Sequence, residues 1–341
     1  MECESSTDML GVATVGLGVG EQHAMTFAKL PQCRLLWLFD RDEHRAEQLA
    51  GQLGDVRVAR SYDTILSDPL VSLVSIASYD DAHFDQAVAA LAARKHVFVE
   101  KPLCRSVSEL RAIKDAWRRS EGRHVASNLV LRAAPLYRWL REAILSEDLG
   151  EVYAFDGDYL YGRLDKITHG WRRDVENYSV MQGGGVHLVD LMLWLTGQRP
   201  ATVGAAGNRF CTTGTAFQYH DFVAATFTFP SGLIGRVTAN FGCVHRHQHV
   251  LRVFGTKATF IFDDAGARLH RSRNPTASAT PLADLSPLPA TKGDLIPAFV
   301  EAILDGSNGV AAAQREFDVI GVCLAADAAL HAGHVVPVEY V

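Results

Sequence analysis

Between residues 10 and 130, short apolar runs alternate with helix-length stretches, and few folds accept that pattern. Residues 12–17, 34–39, 71–77, 96–100 and 125–131 read as strands. Several of them carry no polar alternation, so both faces need cover, and crossover helices on a parallel sheet provide it. Residues 22–30, 43–53, 84–94 and 107–118 read as those helices. The expectation is an N-terminal doubly wound α/β domain over residues 1–131.

After residue 135 the pattern changes. A helix at 136–145 leads into strands at 152–161, 202–209, 222–229, 233–240, 250–254 and 259–263, most with no helix between neighbours. That predicts an α+β domain over residues 132–341, built on a large, open, mostly antiparallel sheet. A helix at 188–195 interrupts it, residues 274–291 read as a loop, and helices follow at 297–304 and about 317–332.

The formal net charge of −6 leaves no basic surplus for nucleic acid. No apolar run of about 18 residues suggests a membrane span. The polar start, residues 1–8, does not read as a signal peptide. Cys3, Cys33, Cys104, Cys211, Cys243 and Cys323 show no CxxC spacing, so reduced thiols in a cytoplasmic protein are expected.

Three motifs carry chemistry. The first is the loop Gly16-Leu17-Gly18-Val19-Gly20 between the first strand and first helix. Gly16 suits a tight turn, Gly18 lets backbone approach a pyrophosphate, and the helix start offers free N–H groups to that anion. The third glycine of GxGxxG falls at Glu21 here, with Gly20 one place early. Asp40, at the end of the second strand, can accept from the ribose hydroxyls of NAD, or cap the following helix; Arg41 leaves NADP open.

The second motif is Glu100-Lys101-Pro102, at the carboxyl end of a strand, where open parallel sheets bind ligands. Proline restricts Lys101 to extended backbone and admits a cis bond, which aims the amine at one place; a solvent-facing lysine fits the same residues. The third is Gly183-Gly184-Gly185-Val186-His187-Leu188-Val189-Asp190. Read as a helix start, it puts His187 in the first turn with Asp190 on the same face, where the positive helix end favours neutral imidazole. The glycines would let a ligand approach. A capped helix with a satisfied histidine is the alternative.

Together these pieces resemble the Gfo/Idh/MocA oxidoreductases, the glucose–fructose oxidoreductase and inositol dehydrogenase family. The resemblance rests on Gly16-x-Gly18-x-Gly20-x-x-His23, Asp40, residues 78–83, Glu100-Lys101-Pro102, Asn128 to Arg132, and Gly184-Gly185-Val186-His187-x-x-Asp190. It implies a Rossmann domain followed by a sheet domain, with Lys101 and His187 catalytic and Asp190 contacting substrate or orienting the histidine. It also implies cofactor contacts from His23, Ser78, Tyr79, His83, Glu100 and Asn128. One departure stands out: many members carry an acid four residues before the histidine, and here that position is Gly183, so proton handling rests on His187 with Lys101 or recruits another group, for which Tyr159, Tyr161 and Tyr178 are candidates.

The expected reaction is oxidation of a secondary hydroxyl on a sugar, cyclitol or nucleotide-linked sugar. His187 would take the hydroxyl proton and Lys101 would stabilise the same oxygen. Tyr161, Arg163, Trp171 and Arg172 are candidate substrate contacts, an aromatic face for a sugar ring and guanidiniums for a carboxylate or phosphate. Two rivals are a redox-neutral enzyme that uses bound NAD to cleave or epimerise a glycoside, and an inert nicotinamide-binding regulator. A homodimer or homotetramer packed through the open sheet is expected. His245, His247 and His249 alternate along a strand; the expectation is a place near substrate or a subunit contact rather than a metal site.

Overall fold

β1 (Leu10–Val15) is buried along its whole length, which explains its unbroken apolar run. The computed structural model describes residues 9–307 and 309–341. From β1 the chain alternates through α1 (Gly20–Lys29), β2 (Cys33–Phe39), α2 (Glu43–Leu53), β3 (Arg57–Val58), α3 (Tyr62–Ser67), β4 (Leu73–Ile76), α4 (His83–Ala92), β5 (His96–Val99), α5 (Val107–Arg119) and β6 (Val125–Ser127). The six strands form one parallel sheet ordered β3-β2-β1-β4-β5-β6. Strand order reverses between β1 and β4, and such a switch point opens a crevice at the strands' carboxyl ends. Local signals set the helices. α1 buries Gly20, His23, Ala24 and Phe27, one face at helical spacing. Ser106 caps α5 by accepting from the Glu109 amide, while the Glu109 carboxylate accepts from the Arg105 amide.

The second sheet is mixed. Its elements are α6 (Pro135–Leu145), β7 (Val152–Leu160), α7 (Asp165–Thr168), α8 (Val186–Thr196), β8 (Thr202–Asn208), β9 (Phe222–Thr228), β10 (Ile234–Asn240), β11 (Gln248–Gly255), β12 (Thr259–Asp263), β13 (Gly266–His270) and β14 (Thr280–Pro281). With β15 (Val336–Pro337) these strands make a nine-stranded sheet ordered β14-β13-β12-β11-β7-β10-β9-β8-β15. All its pairs are antiparallel except β7 with β10. One face is covered by α8, which approaches closely because the strands beneath carry glycine. A Cβ on Gly157 would lie 3.2 Å from Leu188, and one on Gly235 would lie 2.3 Å from the Met192 sulfur. The other face carries ion pairs: Arg236 with Asp156 and Asp158, and Arg252 with Asp158.

The expected pairing of a parallel α/β domain with an open, mostly antiparallel sheet is what the chain forms. Its division is less simple than two consecutive blocks. One unit runs to Val130 and takes back residues 290–317 and Val341; the other holds residues 131–289 and 318–340. Placing everything after 131 in the second domain therefore needs correction. α9 (Ile296–Leu304) returns to the first unit and buries Ile296, Phe299 and Val300 in a core with Leu10, Phe27, Leu38 and Phe98. α10 (Val310–Ala332) gives its residues through Phe317 to the first unit and the rest to the second.

Candidate active site

In the first unit, the glycine loop combines a tight turn, an open approach and close helix–strand packing. Gly16 has φ +80°, and an added Cβ would lie 2.5 Å from the Ser78 nitrogen. Gly18 faces open space, with no chain atom within 4 Å of an added Cβ, so backbone can meet a pyrophosphate there. Gly20 begins α1, and its Cβ position lies 3.0 Å from Ala77 Cβ and 3.2 Å from Thr14 Cγ2. It therefore does the close helix–strand packing that the motif assigns to its third glycine, one position early. Val19, exposed, precedes α1. Asp40 accepts from the Leu17 amide at 2.5 Å and from the Asp42 amide at 2.9 Å. It ties β2 to the glycine loop and is not the helix cap, because Asp42 caps α2. Arg41 is exposed beside it. These residues fit a dinucleotide: an open glycine, a helix N-terminus and a carboxylate at the end of β2.

Lys101 follows β5 on a turn with a cis Lys101–Pro102 bond. Beneath it lies a buried polar network. The His23 Nδ1 contacts Ser75 Oγ at 3.0 Å, and its Nε2 lies 3.3 Å from the Glu100 carboxylate. Asn128 donates to Glu100 at 2.7 Å and to the Lys292 carbonyl at 2.8 Å. Burial pushes the Glu100 carboxyl up, but the contacts with His23, Lys101 and Asn128 outweigh it and hold it at about 2. The His83 ring bridges the carbonyl of Pro102 at 2.8 Å and that of Ser78 at 3.1 Å. His23 and His83 are 0% exposed and Asn128 is 1% exposed. The expectation that these three touch cofactor is thus corrected: they brace the turns that carry Ser78, Glu100 and Lys101. Ser78 donates to Gln86, and Tyr79 is exposed.

In the second unit the glycine run is not a helix start. Ser179 caps the Gln182 amide, Met181–Gly185 forms a π-helical turn, and α8 continues from it without a break. His187 therefore lies about two turns inside a helix. The positive end acts within the first turn only, so the dipole argument for a neutral His187 does not hold. Nor do the glycines face a ligand. A Cβ on Gly184 would lie 2.3 Å from the Tyr159 ring, and one on Gly185 would lie 2.4 Å from the Met181 sulfur. The glycines admit the chain's own side chains. Asp190 is 1% exposed, and the Arg132 Nε donates to both its oxygens at 2.9 and 3.0 Å. The expected substrate contact at Asp190 gives way to a buried ion pair on the helix that carries His187.

The four expected substrate residues gather near one another at the end of β7. The Arg163 and Arg172 guanidiniums lie 5.8 and 5.9 Å from the Tyr161 ring, and Arg172 also stacks on Trp171 at 4.4 Å. Tyr161 stacks on Phe241 at 4.5 Å and on Tyr159 at 6.0 Å. Tyr159 in turn stacks on His187 at 6.2 Å. The alternating histidines divide. His245 bonds Asp264 at 2.9 Å. The His247 and His249 rings lie 5.2 and 5.3 Å from Tyr159, and His249 is 5.8 Å from His187. The Tyr159 and His249 rings both lie against His187, and Phe241, which the sequence does not single out, packs behind Tyr159.

The oxidoreductase family model with an NAD-binding Rossmann fold matches residues 10–128, and the Gfo/Idh/MocA C-terminal domain model matches residues 137–261. An uncharacterised oxidoreductase of Rhizobium meliloti is 28% identical over 222 residues, 64% of this chain and 63% of that protein. The scyllo-inositol 2-dehydrogenase (NAD(+)) of Bacillus subtilis is 26% identical over 258 residues, 73% of this chain and 72% of that protein. A solved structure of a levoglucosan dehydrogenase with NADH superposes with a TM-score of 0.83 at 20% identity, covering 97% of this chain and all of that one. Among the described residues, no helix is long and apolar enough to cross a membrane. With both halves of the chain matched and an NAD-type glycine loop in place, this protein belongs to the Gfo/Idh/MocA oxidoreductase family.

Proposed function

We propose that the enzyme oxidises a secondary hydroxyl of a sugar, cyclitol or nucleotide-linked sugar. The observation that carries the reading is Lys101, set on a braced turn at the carboxyl edge of an NAD-binding sheet. When bound, NAD supplies the hydride acceptor. Lys101 hydrogen-bonds the reacting oxygen as an ammonium and stabilises its developing charge. His187 accepts the hydroxyl proton. Asp190, held by Arg132, keeps the His187 helix in place. Trp171 offers a ring face to the sugar, and Arg163 and Arg172, packed on the buried ring of Tyr161, accept an anionic substituent. Asp40 favours NAD over NADP, since a carboxylate accepts from a free ribose hydroxyl and repels a phosphate there. The ion-paired open face of the sheet is proposed as the contact of a homodimer or homotetramer; a monomer by light scattering at micromolar concentration argues against it.

The test is a panel of inositols, glucosides and anhydrosugars with NAD and NADP, followed by absorbance of the reduced cofactor. Lys101→Ala and His187→Ala should each lower turnover about 10²–10⁴-fold with NAD affinity little changed. Near-normal turnover in both would remove the reading.

A further inference from the structure

We propose that Tyr178, hydrogen-bonded by Arg172, stands in for the acid missing at Gly183 and donates a hydrogen bond to the reacting substrate oxygen; this rests on the dehydrogenase reading above. A Cβ built on Gly183 would lie 2.1 Å from the Tyr178 hydroxyl and 2.7 Å from its Cζ. The phenol thus fills the volume that the first side-chain atom of any other residue at 183 requires. Chain geometry fixes it there. Tyr178 immediately precedes Ser179, which caps the helical run containing Gly183, and the Gly183 amide bonds the Ser179 carbonyl at 2.8 Å. The ring is 5% exposed and meets the edges of Phe217 at 5.8 Å and Phe241 at 6.4 Å. Glycine at 183 and tyrosine at 178 are one arrangement: the first makes room and the second occupies it.

The chemistry fits the place. The Arg172 Nε donates to the Tyr178 oxygen at 3.0 Å. A hydroxyl that accepts from a guanidinium is polarised and becomes a stronger donor of its own hydrogen. Gly183 lies one turn before His187 on the same helical run. In this account the phenol keeps its proton throughout. It strengthens a hydrogen bond as the substrate oxygen gains charge, while His187 takes the hydroxyl proton. The same Arg172 stacks on Trp171, so one guanidinium links the donor to the proposed sugar-facing ring.

The experiment uses all 341 residues of the chain and whichever member of the polyol panel the wild type oxidises. Tyr178→Phe should lower kcat roughly 10²-fold with a smaller change in KM, and leave melting temperature and NADH binding near wild type. Gly183→Asp alone should lower the melting temperature, because its side chain meets the phenol. Gly183→Asp added to Tyr178→Ala should restore at least about tenfold of the turnover that Tyr178→Ala loses, since the carboxyl then has the vacated space. Wild-type kcat in Tyr178→Phe, wild-type melting in Gly183→Asp, or no rescue in the double variant each overturns the inference. An active wild type with an indifferent Tyr178→Phe removes this inference alone. A wild type inactive on the whole panel removes the dehydrogenase reading and the inference with it.

Discussion

Arg132→Leu isolates what the buried ion pair on α8 contributes. The Asp190 side chain is 1% exposed and the Arg132 side chain 15%, and the guanidinium engages both carboxylate oxygens. Removing the arginine leaves a carboxylate out of water with its main partner gone, a loss of about 3–5 kcal/mol. In a unit of this size each kcal/mol moves the melting point by about 2–4 °C, so a fall on the order of 10 °C follows. Asp190→Leu in the same background removes the stranded charge and should return most of that loss, because a buried pair and an apolar pair of similar volume differ little. The assay is a cofactor-free thermal melt of wild type, single and double variants by circular dichroism. Turnover of the refolded double variant then reports how far Asp190 positions His187 apart from stability. A single variant melting within about 2 °C of wild type, or a double variant as unstable as the single, would refute the reasoning.

Gly18→Ala should leave the cofactor-free melting temperature unchanged, since nothing lies within 4 Å of the added methyl. It should weaken NAD binding at least about tenfold by calorimetry; unaltered affinity counts against the loop's role. Asp327 gives a pH dependence. Burial raises its carboxyl from 3.8 to about 6 despite hydrogen bonds from Gln182 and Ser179. A folded value above the unfolded one stabilises fully below pH 3.8, and that contribution disappears as pH rises through 6. The amount at stake is roughly 3 kcal/mol. Asp327→Asn should therefore gain melting temperature relative to wild type between pH 4 and pH 8, and a gap that does not move with pH shows the carboxyl titrates normally.

Elements with strong local periodicity were legible in the chain. β1 and β2 announced themselves as apolar runs. The two-residue β3 and β14 lie below what periodicity can resolve. The glycine triplet misled for a physical reason. Glycine in a helix normally weakens it, so Gly183–Gly185 read as the start of α8. The side chains of Tyr178 and Tyr159 from outside the run, and of Met181 within it, show why a helical run accepts three glycines. The site followed the same division. Gly16, Gly18, Asp40, Lys101 and His187 were marked by local motifs, whereas the bracing roles of His23, His83 and Asn128 depend on partners far apart in the chain. The return of α9 to the first unit has no local signature, because its apolar face alone does not say which core it joins.

That return has a consequence for biosynthesis. Phe98 waits for Phe299, whose ring lies 5.4 Å away in the finished core. The glycine-loop helix waits likewise for Gly293, which fits against Thr26 so tightly that a Cβ would lie 2.0 Å from its hydroxyl. On the ribosome the nucleotide-binding half therefore emerges first but receives α9 only after eight strands of the second sheet, β7 to β14, have been translated. During that interval an apolar flank stays open, and a nascent chain halted anywhere in the second sheet is a natural client for chaperones.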